Sequence, residues 1–186
     1  MNVLELLKIC DNLKHLKRTG WTKFKIDEPE TVACHMYRMA VLSMALEGQI
    51  PGLDVNRCVR MSLVHDIAEA IVGDITPHCG VTEEDKHSLE HKAMQKIATY
   101  LPVETGEDWV QLWREYEGRS TKEAQVVFHL DKFDMIAQAF DYEQKYDVDL
   151  SQFFSSTVGK FTMAPFTTWD RELRDRRQQW IDSKAA

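Results

Sequence analysis

The feature that most limits what this chain can fold into is the spacing of its apolar residues. They recur at three- and four-residue intervals, and few segments show sustained alternation. Val3, Leu6, Leu7, Cys10 and Leu13 predict a first amphipathic helix. The basic run Lys14 to Arg18 follows, and Gly20 is expected to open a loop reaching Pro29. Thr31 suits the start of a second helix whose face carries Val32, Met36, Met39 and Leu46, with His35 beside it. Gly48, Pro51 and Gly52 punctuate the next turn, and Asp54 is placed to cap a central helix running to about Val72, with Gly73 at its end. Thr82-Glu83-Glu84-Asp85 opens a helix to about Leu101, and a shorter one is expected from Glu107 to Glu117. Ser120-Thr121-Lys122-Glu123 reads as a capping box for a long helix to about Tyr146. Asp147 to Pro165 reads as irregular. A final helix from Trp169 places Leu173 and Trp180 on one face. The expected fold is all-α, one domain spanning residues 1–186 with six or seven helices, a core over about 4–150 and a C-terminal helix over about 168–183.

One element breaks this pattern. Leu63-Val64-His65-Asp66-Ile67-Ala68-Glu69-Ala70-Ile71-Val72 carries an adjacent His-Asp pair inside an apolar run, with Leu63, Ile67 and Ile71 at helical spacing. Burying such a pair is costly without compensation. A continuous helix would set Glu69 on the same face as His65 and Asp66. Imidazole and carboxylate with a spare acid suggest an activated water and a proton carrier, although a dipeptide alone is more often a structural hydrogen bond. The other hard ligands are His35 and Asp131, each on a different expected helix, which is how bundles assemble metal sites. Asp131 interrupts an apolar face and could otherwise simply pair with Lys132 or Arg38.

Net charge is −7, against an extended nucleic-acid footprint, while a small anion held by local cations stays open. Cys10, Cys34, Cys58 and Cys79 are scattered without a C-x-x-C, so reduced thiols in a cytoplasmic protein are expected. The first residues lack the pattern of a signal peptide, and the most apolar stretch, Met39 to Leu46, is too short to span a bilayer. His87-Ser88-Leu89-Glu90-His91 fits an inverted zinc-protease pattern, but its charged neighbours favour a solvated helix face. Trp109, Trp113 and Tyr116 are expected mostly in the core. Arg171, Arg174, Arg176 and Arg177 alternate with Glu172 and Asp175, which reads as a solvated face.

His35, then His65-Asp66, then Asp131, resembles the HD-domain metal-dependent phosphohydrolases. The segments Leu16 to Trp21, His35 to Ala40, Leu63 to Glu69, Val72 to Pro77 and Leu130 to Met135 resemble the 5′-deoxynucleotidases of the HD-domain-containing protein 2 type, over nearly the whole chain. The resemblance implies a divalent ion (Mn²⁺, Co²⁺, Mg²⁺ or Zn²⁺) held by His35, His65, Asp66 and Asp131, with Glu69 as acid/base. In relatives holding a second ion, its ligands are Glu69, Asp74 and the Ile75 carbonyl. It further implies Arg18 on the 5′-phosphate, Trp21 on the deoxyribose, Asp74 at the sugar end, deoxynucleoside monophosphates as substrates, and a homodimer. One departure stands out: relatives carry an acid before the first metal histidine, where this chain has Cys34. That removes a supporting carboxylate and predicts weaker metal retention or a shifted ion preference, with Cys34 read as a small buried filler. His129 also stands where relatives are polar or charged. Two competing readings are a non-catalytic nucleotide-binding or dimer-scaffold module, and a phosphodiesterase or triphosphohydrolase on the same metal core.

Overall fold

The computed structural model describes residues 1–185, with the side chains of His78 and Ala185 outside the description. In chain order the helices are α1 (Val3–His15), α2 (Thr19–Thr22), α3 (Val32–Ala45), α4 (Val55–Ser62), α5 (Glu69–Val72), α6 (Glu83–Ala98), α7 (Val103–Gly118), α8 (Lys122–Tyr146), α9 (Ser151–Ser156) and α10 (Phe166–Ala185), with a 3-10 turn at Pro77–Cys79. Seven of these have eight residues or more, in line with the expected all-α bundle; α2, α5 and α9 are short additions. The described residues contain no strand, only a single antiparallel bridge between Lys17 and Thr31.

The long helix α8 is the axis of the bundle. It packs on α3, α4, α7 and α10, and α3 and α4 lie against one another. Val127, Leu130, Ile136 and Ala139 of α8 are fully buried with Met39 of α3, Leu46 at its C-terminal cap, Met61 of α4 and Trp113 of α7. The start signals act largely as expected. Thr31, Asp54, Thr82 and Thr121 each accept a backbone N–H three residues on, and Gly73 ends α5 at φ +81°.

Five local expectations are corrected. Gly20 does not open a loop but lies inside α2. The capping box at Ser120 does not form: Thr121 is the cap, and Glu123 reaches across to accept the Asp54 N–H at 3.0 Å, tying the start of α4 to α8. The segment Asp147 to Pro165 contains α9. Arg174 and Arg177 are not solvated: Arg177 makes a two-pronged pair with Glu143 (2.6 and 2.7 Å), and Arg174 donates to Asp170, the Phe154 carbonyl and Thr157. These bonds fasten α9 between α8 and α10. Arg171, Glu172, Asp175 and Arg176 remain exposed as expected. Of the aromatic trio, Trp113 is buried, while Trp109 and Tyr116 are half-buried. Cys58 is buried; Cys10, Cys34 and Cys79 are exposed, and all four are free thiols. Cys34 is therefore no buried filler. No helix among the described residues is long and apolar enough to cross a membrane.

Candidate active site

The His-Asp pair does not sit within a helix. α4 stops at Ser62, and the chain continues to Ala68 in turns that mix one α-type bond, His65 N to Met61 O (2.9 Å), with tighter i→i+3 bonds, Val64 N to Met61 O (3.0 Å), Ile67 N to Val64 O (3.1 Å) and Glu69 N to Asp66 O (3.0 Å). His65 Nδ1 donates to the Ser62 carbonyl at 2.9 Å, the group that would accept the Asp66 N–H in a continuous α-helix. This change of pitch breaks the expected stripe. Ile67 stays in the core, while Leu63 and Ile71 turn outward. It also turns His65, Asp66 and Glu69 toward the same cleft.

Three elements deliver the ligand atoms: α3 brings His35, the turn after α4 brings His65 and Asp66, and α8 brings Asp131. Ligand atoms of His35, His65 and Asp66 lie within 4.8 Å of one another. Asp66 Oδ2 is 3.1 Å from His65 Nε2 and 3.9 Å from His35 Nε2. Asp131 falls outside that three-residue group but has Oδ1 3.3 Å from His35 Nε2. Its Oδ2 accepts Tyr116 O–H at 3.0 Å and lies 2.9 Å from Lys132 Nζ.

Both imidazoles are held from behind. His65 Nδ1 meets an acceptor-only carbonyl and must carry the proton; His35 Nδ1 lies 2.8 Å from Asp134 Oδ2. Both Nε2 atoms are left buried without a hydrogen-bond partner. Two unpartnered ring nitrogens facing two carboxylates make a poor apolar core and a good cation site, because each imidazole has its far nitrogen fixed. The donor set fits a divalent ion of the imidazole-and-carboxylate kind. The carboxylate behind His35 comes from Asp134 and not from the residue before the histidine, so Cys34 does not leave the ligand unsupported.

The electrostatics are strongly divided. Burial works against the carboxylates of Asp66 and Asp131, yet His65 and His35 hold Asp66 well below the ordinary range, and Lys132, His35 and Arg18 do the same for Asp131. Glu69 goes the other way: burial, with Asp66 and Asp74 nearby, pushes it well above the usual carboxylate value. Its Oε2 is also buried and unpartnered. Paired carboxylates with pKa values driven apart are the pattern of an acid/base site.

Asp66, Glu69 and Asp131 line a cavity of about 460 Å³ together with Arg18, Asp74 and Ile75. It shares Arg18, Asp74, Arg119, Phe128 and Lys132 with a neighbouring cavity of about 580 Å³ that adds Trp21, Gln152, Phe153 and Lys160. Together they form one trough with a charged end and a more aromatic end. Arg18 sits at the join, its Nη1 3.8 Å from Asp66 and its Nε 3.5 Å from Glu30. Burial disfavours its charge, but Asp131, Asp66 and Glu30 more than restore it. Asp74 Oδ2 accepts the Thr19 N–H at 2.6 Å, which anchors α2 to the chain after α5. Trp21 is nearly closed off, at 1% exposure.

Glu30, Asp134 and Tyr116 are site residues that sequence reasoning missed. Asp134 follows Asp131 by one helical turn, a usable signal; Glu30 and Tyr116 carried none. The inverted zinc-protease pattern does not converge. His87 and His91 stack on Trp113, His87 meets Glu117 (3.3 Å), Arg114 donates to His91 (2.9 Å), and Glu90 turns inward toward Lys86 (3.6 Å). His129 is buried against Phe166, ring centroids 5.0 Å apart.

The sequence profile of the HD domain matches residues 10–167. The chain is 42% identical to the 5′-deoxynucleotidase HDDC2 of Dictyostelium discoideum, over 95% of this chain and 99% of that one. It is 40% identical to the Homo sapiens protein of that name, over 100% and 91%, and 42% identical to the 5′-deoxynucleotidase hdd1 of Schizosaccharomyces pombe, over 97% and 93%. A crystal structure from Pyrococcus horikoshii OT3 superposes with a TM-score of 0.76 at 30% identity, covering 95% of this chain and 98% of that one. The fold also matches that of a predicted metal-dependent phosphohydrolase from Magnetospirillum magnetotacticum, with a TM-score of 0.73 at 24% identity, covering 96% of each chain. With the profile covering most of the chain and these relatives aligned along nearly its full length, the chain belongs to the HD-domain family.

Proposed function

We propose that the chain is a divalent-metal-dependent 5′-deoxynucleotidase, hydrolysing 2′-deoxyribonucleoside 5′-monophosphates to deoxynucleosides and phosphate. The observation that carries this reading is the pair of buried, unpartnered Nε2 atoms of His35 and His65 facing Asp66, with the Arg18 guanidinium 3.8 Å from that carboxylate and Glu69 in the same cleft. The names of the aligned relatives supply the reaction class.

His35, His65, Asp66 and Asp131 would hold the ion, and Glu69, Asp74 and the Ile75 carbonyl would hold a second where one binds. When bound, a divalent ion supplies Lewis acidity toward phosphoryl oxygen and lowers the pKa of water. Mn²⁺, Co²⁺, Mg²⁺ and Zn²⁺ are the candidates. Arg18 orients the phosphate with its planar fork and offsets its charge. Glu69, raised by burial beside Asp66 and Asp74 and with its Oε2 unpartnered, would take a proton from the attacking water and return it to the leaving 5′-oxygen. Tyr116 keeps its O–H, since burial and Asp131 push its pKa up, and so holds Asp131 in place as a donor. Trp21 walls the sugar subsite, where a 2′-hydroxyl would meet a face that offers it no partner. The four free thiols suit a reducing compartment such as the cytoplasm. A homodimer belongs to the same reading through resemblance.

The test is phosphate release from a panel of deoxy- and ribonucleoside monophosphates by metal-stripped protein, with single ions added back. His65→Ala and Asp66→Ala are expected to lose metal-dependent release with helical content retained, and Glu69→Ala to keep the ion and lose turnover. Full activity in either ligand variant would overturn the proposal. Nucleotide binding without turnover under every ion would favour the non-catalytic module.

A further inference from the structure

Glu30 belongs to no motif in the chain, yet it touches Arg18 and Trp21, the two side chains assigned to phosphate and sugar recognition. The single bridge between Lys17 and Thr31 sets the two backbones side by side, with Arg18 N–H donating to the Glu30 carbonyl at 3.0 Å. On the side-chain level, Glu30 Oε1 accepts Trp21 Nε1–H at 2.9 Å and lies 3.5 Å from Arg18 Nε. Its carboxylate is 6% exposed. The Glu30 backbone N–H donates to Tyr142 Oη at 2.7 Å, and Tyr142 in turn meets the Trp21 ring edge-on, centroids 5.4 Å apart. Phe153 packs on the other side of that ring at 4.3 Å.

We propose that Glu30 is the positioning residue for both recognition side chains: one carboxylate oxygen fixes the Arg18 fork and the Trp21 ring together. Discrimination at the sugar 2′ position is thereby coupled to binding of the 5′-phosphate. The inference rests on the proposed assignment of Arg18 to phosphate and Trp21 to sugar. Trp21 exposes so little surface that a small rotation of the ring changes which part of it borders the trough. Arg18 reaches toward the charged end, where its Nη1 lies 3.8 Å from Asp66, while Glu30 anchors it at Nε.

The rival role for Glu30 is a metal ligand, since its carboxylate, His35 and Asp134 place ligand atoms within 4.8 Å. The His35 Nδ1 to Asp134 contact at 2.8 Å already fills that space, and a cation there would have to displace it.

The two roles separate in Glu30→Gln and Glu30→Ala, assayed with dAMP and AMP alongside metal affinity by equilibrium dialysis. Gln keeps an acceptor for Trp21 Nε1 but removes the charge beside Arg18. KM for dAMP should rise about tenfold as the ion pair that orients the Arg18 fork is lost, with kcat little changed and the preference for dAMP over AMP retained. Ala removes both contacts, so KM should rise similarly and the preference should also fall. Ion affinity should stay at the wild-type value in both. Wild-type KM in Glu30→Gln, an undiminished dAMP preference in a folded Glu30→Ala, or loss of the ion from either variant would overturn the inference. Wild-type protein that hydrolyses dAMP no better than AMP would overturn the parent assignment and this inference with it. Clear wild-type preference with unaffected variants would overturn this inference alone.

Discussion

Replacing Asp134 should weaken metal binding without removing any ligand. Its side chain is fully buried, with Oδ2 2.8 Å from His35 Nδ1 and Oδ1 2.9 Å from Arg38 Nε. The carboxylate holds the Nδ1 proton, leaves the Nε2 lone pair toward Asp66 and Asp131, and raises the basicity of the ring. In Asp134→Asn the amide oxygen can still accept that proton, but a charge-assisted bond becomes a neutral one of roughly half the strength. In Asp134→Ala the ring loses its anchor. Removing such a support typically costs about 10–100-fold in metal affinity, or about 1.4–2.7 kcal/mol, with Asn at the low end and Ala at the high end. The apo fold should pay separately. Arg38, 35% exposed on its side chain, can turn to solvent, so the cost is that of one buried hydrogen bond left unmade, about 1–3 kcal/mol. In a chain of 186 residues that is a fall of about 2–12 °C in Tm. Titration calorimetry of Mn²⁺ into metal-stripped protein reads the first effect, and thermal unfolding in chelator reads the second. An Asp134→Ala protein that binds the ion within twofold of wild type would refute the reasoning.

Three further outcomes follow from the packing. Burial raises Glu90 to about 7, so between about pH 4.5 and 7 the folded chain keeps a proton that the unfolded chain has released. Stability is therefore lost as pH rises through that window, by up to about 3 kcal/mol, and Glu90→Gln should flatten the fall in Tm from pH 5 to 8; a variant profile parallel to wild type would contradict this. Arg177→Ala strands Glu143, only 2% exposed on its side chain, and should cost about 3 kcal/mol in chemical denaturation, with amide exchange fastest in α9. Gly106→Ala would place a Cβ 2.7 Å from the Ala98 carbonyl oxygen, so it should lower Tm despite alanine's helix advantage of up to about 1 kcal/mol; a raised Tm would show that α6 and α7 separate easily.

Gly106 also explains a misjudged boundary. Its presence argues against a helix at Val103 to Gly106 on propensity, yet α7 begins at Val103 because a glycine lets it approach the α6 backbone. α4 ends at Ser62, short of the expected Val72, for a related reason. Leu63, Ile67 and Ile71 keep helical spacing, but His65 takes the Ser62 carbonyl and the pitch changes. Local spacing reports which residues can share a face, not whether a side chain will compete for the backbone.

What the sequence determined by itself was the helical class, most helix starts, and the approach of His35, His65 and Asp66. The starts are legible because a Thr or Asp cap acts within three residues of itself. His35, His65 and Asp66 are legible because imidazoles and carboxylates on apolar faces need a common partner. Only the tertiary structure decided what supports them. Asp134 behind His35, Tyr116 on Asp131, Glu30 between Arg18 and Trp21, and the arginines holding α9 all act across long stretches of chain. Such pairs have no period and no spacing rule, since they are selected by which helices pack together and by the cost of leaving a buried charge alone.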